Sequence, residues 1–175
     1  MTTASLVHVA RLPDAAAHAG WRLLAQFIDE AVTTYDADPA RVFLAGFSQG
    51  GIMALATMLM APAKVAGAVV MSGRLLPEVL PHVASTDALR DKRMLIVHGA
   101  TDEKLGVHFA RSAHAQLAHF SDNVTYRELS MGHAITEESL AVVTTWLTMS
   151  LNAVLARAGT ESTSVHGVQH AGMTD

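Results

Sequence analysis

Ser48 stands inside the run Gly46-Phe47-Ser48-Gln49-Gly50-Gly51. A serine hydroxyl is a poor nucleophile at neutral pH and attacks a carbonyl carbon only with a base within hydrogen-bond reach. It must also stand clear of the backbone. Here an apolar, β-prone run, Arg41-Val42-Phe43-Leu44-Ala45, precedes the motif, and a helix-forming run, Ile52 to Met60, follows it. Strand, tight turn and helix is the context in which G-x-S-x-G becomes a nucleophile elbow. The glycines two before and two after Ser48 leave room for a turn too sharp for Cβ atoms. A helix beginning at Ser48 aims its first amides at the reacting oxygen. The Gln49 amide is then the expected first donor of an oxyanion hole.

In a chain with 12 glycines, G-x-S-x-G also arises by chance. The weight therefore falls on whether an acid and then a base follow it, in the chain order Ser, Asp or Glu, His. Met94-Leu95-Ile96-Val97 reads as a buried strand that runs into His98-Gly99-Ala100-Thr101-Asp102, and Val124 to Leu129 reads as another that runs into Ser130-Met131-Gly132-His133. Ser48, Asp102 and His133 thus all fall just past the carboxyl ends of predicted strands, where open parallel sheets bind ligands. An imidazole at His133 can take the serine proton and return it to a leaving group. A carboxylate at Asp102 fixes the imidazole tautomer and stabilises the imidazolium. Asp87 is the rival acid, but it lies in a polar, proline-containing stretch. Among the other histidines, a structural hydrogen bond is expected for His98 at its strand end. His108, His114 and His119 fall within a predicted helix at spacings of five and six, which do not share a face.

The elements that must position these residues alternate along the chain. A helix is expected over Asp14–Tyr35, with Trp21, Leu24, Ile28 and Val32 at helical spacing. Strand Arg41–Ala45, helix Ser48–Met60 and strand Val65–Met71 follow, then a loop over Leu75–Asp87. Strand Met94–Val97, helix Gly106–Phe120, strand Val124–Leu129 and a last helix over about Thr136–Ala158 complete the order. That last helix carries Leu140, Val143, Leu147, Leu151 and Val154 on its expected buried face. Such alternation implies an α/β fold with parallel strands and helical crossovers. One domain is expected over residues 1–158. The Gly-, Ser-, Thr- and His-rich tail, 159–175, has no apolar periodicity and is expected to be disordered. His166 and His170 in that tail have no helix to align them as metal ligands. Leu75, Leu76, Val79 and Leu80, in the loop expected to overhang the site, suit either an acyl pocket or ordinary packing.

Taken together, Gly46 to Gly51, Ala66 to Gly73, His98 to Asp102 and Met131 to His133, with Asp38-Pro39-Ala40-Arg41-Val42 ahead of the elbow, resemble the phospholipase/carboxylesterase branch of the α/β-hydrolases, which includes the acyl-protein thioesterases. The resemblance covers about residues 20 to 150. It implies a three-layer α/β-hydrolase-like fold, here with a reduced, mainly parallel sheet. It also implies a serine hydrolase acting on carboxylic esters or thioesters without metal or cofactor, with Ser48, Asp102 and His133 as its triad. Members of the family carry several strands before the elbow, and one ends in a His-Gly-x-Gly-like turn that supplies a second oxyanion donor. No His-Gly-x-Gly precedes Ser48 in this sequence, and the short run Leu6–Ala10 is the one candidate strand ahead of the helix. The chain therefore reads as an N-terminally short member of lower activity. The apolar strand Arg41–Ala45 would then have an unpaired edge, for which self-association as a homodimer, or cover by Leu6–Ala10, is expected. A weakly active or non-catalytic self-associating protein is the competing reading.

Composition narrows the partners. Half of the 175 residues are hydrophobic, enough for a buried core, and the net charge is −4. Mean hydropathy is +0.28 and the isoelectric point is near 6.2. With no basic patch, nucleic acid is not an expected partner. Cysteine is absent, which removes thiol nucleophiles and thiolate metal sites and fits a reducing compartment. The start has no basic region followed by a long apolar stretch, and no uninterrupted apolar run reaches the roughly 18 residues of a membrane span. A cytoplasmic protein without a transmembrane segment, acting on a small ester, is the expectation.

Overall fold

Four strands of the computed structural model, which describes the backbone of residues 14–166 and the side chains of residues 20–156, form one sheet. They are β1 (Phe43–Phe47), β2 (Gly67–Met71), β3 (Arg93–Gly99) and β4 (Val124–Leu129), in the order β1-β2-β3-β4. Every neighbouring pair is parallel, with Ala45 opposite Val69, Val69 opposite Leu95, and Leu95 opposite Thr125. Parallel neighbours cannot be joined by a hairpin, so each return crosses over the sheet. The crossover from β1 to β2 is helix α2 (Gln49–Met60), and that from β3 to β4 is α4 (His108–Leu117). Between β2 and β3 the chain makes a 3-10 turn, Pro77–His82, and a single helical turn, α3 (Thr86–Leu89). Helix α1 (Asp14–Thr34) precedes the sheet and α5 (Glu137–His166) follows it.

Alternation along the strands sorts side chains to two faces. Ala68, Val70, Met94 and Ile96 pack with Leu55, Met58 and Leu59 of α2, with Ile28 of α1, and with Ala110, Ala113 and Leu117 of α4. Val69, Met71, Leu95 and Val97 pack on the opposite face with Val143, Val142 and Trp146 of α5. β2 is buried at every position, as a strand covered on both faces should be. This is the three-layer α/β arrangement expected from the sequence.

Several expectations shift. β1 begins two residues later than Arg41 because Asp38 caps a 3-10 turn, Pro39–Arg41, accepting the Ala40 amide at 2.9 Å. The strand then runs up to the residue before Ser48. β1 pairs with β2 alone, and its residues are half-buried or exposed, so it forms the rim of the described sheet rather than its interior. The run Leu6–Ala10 lies outside the described residues. On α5, Ser139, Val143 and Ser150 are the buried positions, whereas Leu140 and Leu151 of the expected stripe face solvent. The 18 residues from Ser139 to Ala156 carry no charge, so apolar spacing could not single out the packed face. The same stretch, Glu137–Ala156, is long and apolar enough to cross a membrane by length and composition. Its scattered Ser and Thr hide this from a search for uninterrupted apolar runs. α5 also continues to His166, past the Gly159 at which a disordered tail was expected, because a nucleated helix gains a bond with each added residue. Residues 167–175 of that tail lie outside the described residues. Leu75, Leu76 and Val79 pack on the core beside α2, while Leu80 is exposed.

Candidate active site

Three turns at the carboxyl ends of β1, β3 and β4 meet above the sheet. Ser48 caps α2 with φ 52° and ψ −116°. A left-handed φ on a non-glycine residue costs about 1–3 kcal/mol and persists only where the surroundings enforce it. The enforcement is visible: the Ser48 amide donates to the Met71 carbonyl at 2.8 Å, and the Ile52 amide returns to the Ser48 carbonyl at 3.1 Å. The flanking glycines are not equivalent. A Cβ on Gly46 would sit 2.1 Å from the Gly50 carbonyl carbon, and one on Gly51 would sit 2.9 Å from the Gly46 oxygen. A Cβ on Gly50 would meet nothing within 4 Å. The turn therefore demands glycine at positions 46 and 51, and not, as the motif suggests, at position 50. Gln49 is the first residue of α2, where the amide has no intrahelical partner.

Asp102 and His133 come from loops that are laced together. The Ala100 amide donates to the Leu129 carbonyl at 2.8 Å and the Thr101 amide to the Met131 carbonyl at 3.2 Å. Gly99 permits this approach, since a Cβ there would lie 2.2 Å from the Met131 oxygen. The Asp102 carboxylate is fully buried. Its Oδ1 accepts the amides of Lys104 at 3.0 Å and Leu105 at 2.8 Å. Its Oδ2 lies 2.7 Å from His133 Nδ1, and His133 Nε2 lies 3.0 Å from Ser48 Oγ. With a carboxylate on one side and a hydroxyl on the other, Nδ1–H donates to Asp102 and Ser48 Oγ–H donates to Nε2. The Phe47 ring flanks the imidazole, with centroids 4.9 Å apart. Burial pushes the Asp102 carboxyl up, but the Leu105 amide, His133 and His98 outweigh it and hold the group below its ordinary value.

The structure thus brings Ser48, His133 and Asp102 into one hydrogen-bonded array, with Gln49 adjoining. The rivals stand elsewhere. Asp87 pairs at the surface with Arg90 at 2.8 Å. His114 stacks on Tyr126, and His108 lies against Phe109. The elbow motif contains Phe47, but nothing in the sequence marks that its ring faces His133. His98 makes the structural hydrogen bond expected at its strand end, with Nε2 2.7 Å from the Leu105 carbonyl oxygen, and the same nitrogen also lies 3.4 Å from Asp102 Oδ2. No spacing in the sequence marks that approach, because His98 lies on a strand and the turn after it decides where Asp102 falls. Among the described residues, no group of three or more His, Cys, Asp or Glu side chains could hold a metal ion.

A parallel sheet covered by helices on both faces, with a serine on a strained turn after one strand and an acid and a histidine after two later ones, is an α/β-hydrolase fold. The family model described as phospholipase/carboxylesterase matches residues 11–151, and the chain belongs to that family. A probable carboxylesterase of rice (Oryza sativa subsp. japonica) is 31% identical over 114 residues, which cover 62% of this chain and 47% of the relative. A probable carboxylesterase, SOBER1-like, of Arabidopsis thaliana is 27% identical over 111 residues, 63% of this chain and 42% of the relative. The chain spans about half the length of the curated relatives it matches. Among solved structures, a carboxylesterase from Mesorhizobium loti superposes with a TM-score of 0.69 at 27% identity, over 79% of this chain and 64% of that one.

Proposed function

We propose that this chain is a serine hydrolase that cleaves carboxylic esters or thioesters of short to medium acyl chains through an acyl-enzyme. The observation that carries the reading is the continuous array from Asp102 Oδ2 through His133 to Ser48 Oγ, at 2.7 and 3.0 Å. Ser48 Oγ attacks the acyl carbonyl carbon while His133 Nε2 takes its proton. Asp102 stabilises the imidazolium that results and keeps the ring oriented. The oxyanion that forms receives the Gln49 amide at the positive end of α2. His133 then protonates the departing alkoxide or thiolate. In the second half, His133 activates a water molecule, which releases the acid and restores Ser48. No metal or cofactor enters this scheme.

The test is turnover of p-nitrophenyl acetate and butyrate, together with labelling by a fluorophosphonate. Ser48→Ala is expected to lower kcat by about 10⁴-fold or more and to abolish the label. Near-wild-type turnover by the variant would end the reading.

A second reading has one specific observation in its favour. β1 is half-exposed with one edge unpaired among the described residues. On this reading the chain self-associates through that edge, most simply as a two-fold dimer, and hydrolyses esters weakly.

A further inference from the structure

His98 is fully buried, and the scheme above does not use it. Its Nε2 lies 2.7 Å from the Leu105 carbonyl oxygen and 3.4 Å from Asp102 Oδ2. Two acceptors face this nitrogen, so it carries a proton and donates it, chiefly to Leu105. The other ring nitrogen, Nδ1, is buried with no hydrogen-bond partner. Leaving a buried polar atom unpaired is costly, and an apolar side chain of similar shape would escape that cost. A histidine kept under those conditions calls for a use beyond packing.

The use follows from what its N–H edge touches. Leu105 offers both its main-chain groups here: its amide holds Asp102 Oδ1 at 2.8 Å, while its carbonyl is held by His98. His98 therefore fastens the far end of the turn whose amides grip Asp102. The same edge faces Oδ2, the oxygen that receives His133 Nδ1–H. We propose that His98 is a positioning residue that locks the Asp102 carboxylate through the 102–105 turn, so that Oδ2 stays aimed at His133. It reaches the reaction only through Asp102 and touches no substrate. The proposal rests on the triad reading above.

The test compares His98→Leu, which removes the donor, with His98→Gln, whose amide nitrogen reaches about as far as Nε2. His98→Leu is expected to lower kcat about 10- to 100-fold, the range typical of outer partners that orient an acting group, with KM for p-nitrophenyl butyrate little changed. The acid limb of its rate profile should move to lower pH, because a wandering carboxylate stabilises the imidazolium less. The far-downfield proton NMR signal of the His133–Asp102 hydrogen bond should broaden or vanish. His98→Gln should restore most of each property. A His98→Leu protein with wild-type kcat and an unmoved acid limb would overturn the proposal. So would equal impairment of both variants per correctly folded site, counted by fluorophosphonate titration. Should His98→Leu fail to fold, His98→Gln decides alone: retention of the downfield signal and acid limb supports the lock, and loss of both refutes it. If the unaltered chain neither turns over esters nor takes label at Ser48, the triad reading has failed. The NMR comparison still decides whether His98 holds the His133–Asp102 bond.

Discussion

Asp102 joins the chemistry of the site to its stability. Its folded-state carboxyl is held below the ordinary value, chiefly by the Leu105 amide and His133 against the opposing effect of burial. A carboxyl of this kind binds fewer protons folded than unfolded. Its contribution is therefore fully present above the unfolded value of about 3.9 and is lost as pH falls through the lower folded value. Asp102→Asn removes that linkage. Wild-type melting temperature should drop more steeply than that of the variant as pH falls from 5 to 2; parallel curves would deny the assignment. The same substitution should cost roughly 10⁴-fold in kcat, because an amide in place of the carboxylate favours the wrong His133 tautomer. That Ser48, Asp102 and His133 would come together was legible in the sequence because each lies just past the end of a strand-like run, and strand ends are where a parallel sheet gathers its ligands. The contact of His98 with Asp102 was not, since it depends on how the turn after Gly99 folds back.

Two glycines of one motif respond oppositely once α2 is seen against β1. Gly46→Ala drives a methyl into the Gly50 backbone at 2.1 Å, which cannot yield as a side-chain tip would. A loss of about 3 kcal/mol, the upper part of the range for overpacking, is expected, with activity falling alongside. Gly50→Ala adds a methyl in open space within a helix and should gain up to about 1 kcal/mol. Thermal unfolding of the two variants checks both signs, and similar losses would show that the turn needs both glycines. Element identity was readable here because strand, Gly-Ser turn and helix each leave a different local pattern. Boundaries were less so: the Asp38 cap consumes Arg41, and no spacing rule reveals which way a side chain has been spent. On α5 the difficulty is greater, because a helix without charge for five turns looks apolar from every side.

Across the whole molecule, the four-stranded parallel order was implied by the alternation of strands and helices, whereas the position of β1 at a rim depends on what pairs beyond it. An unpaired strand edge invites another chain. Light scattering is expected to find the protein at twice its 18.5 kDa chain mass, and Ala45→Lys, which places a charge on the exposed middle of β1, should shift it toward the monomer. A single-chain mass across the concentration range would set aside the edge-paired dimer. The crossover connections carry a further consequence, for the order of events in folding. Ser48 and His133 lie 85 positions apart, and Asp102 lies 31 before His133. No hairpin or single crossover unit contains all three, and contacts so distant in sequence close late and slowly. A chain whose first strands and elbow helix had already condensed would still lack His133 beside Ser48, and with it the base of the proposed scheme. If the proposed triad acts, its chemistry belongs to the sheet with all of β1, β3 and β4 in place, and to no smaller part of it.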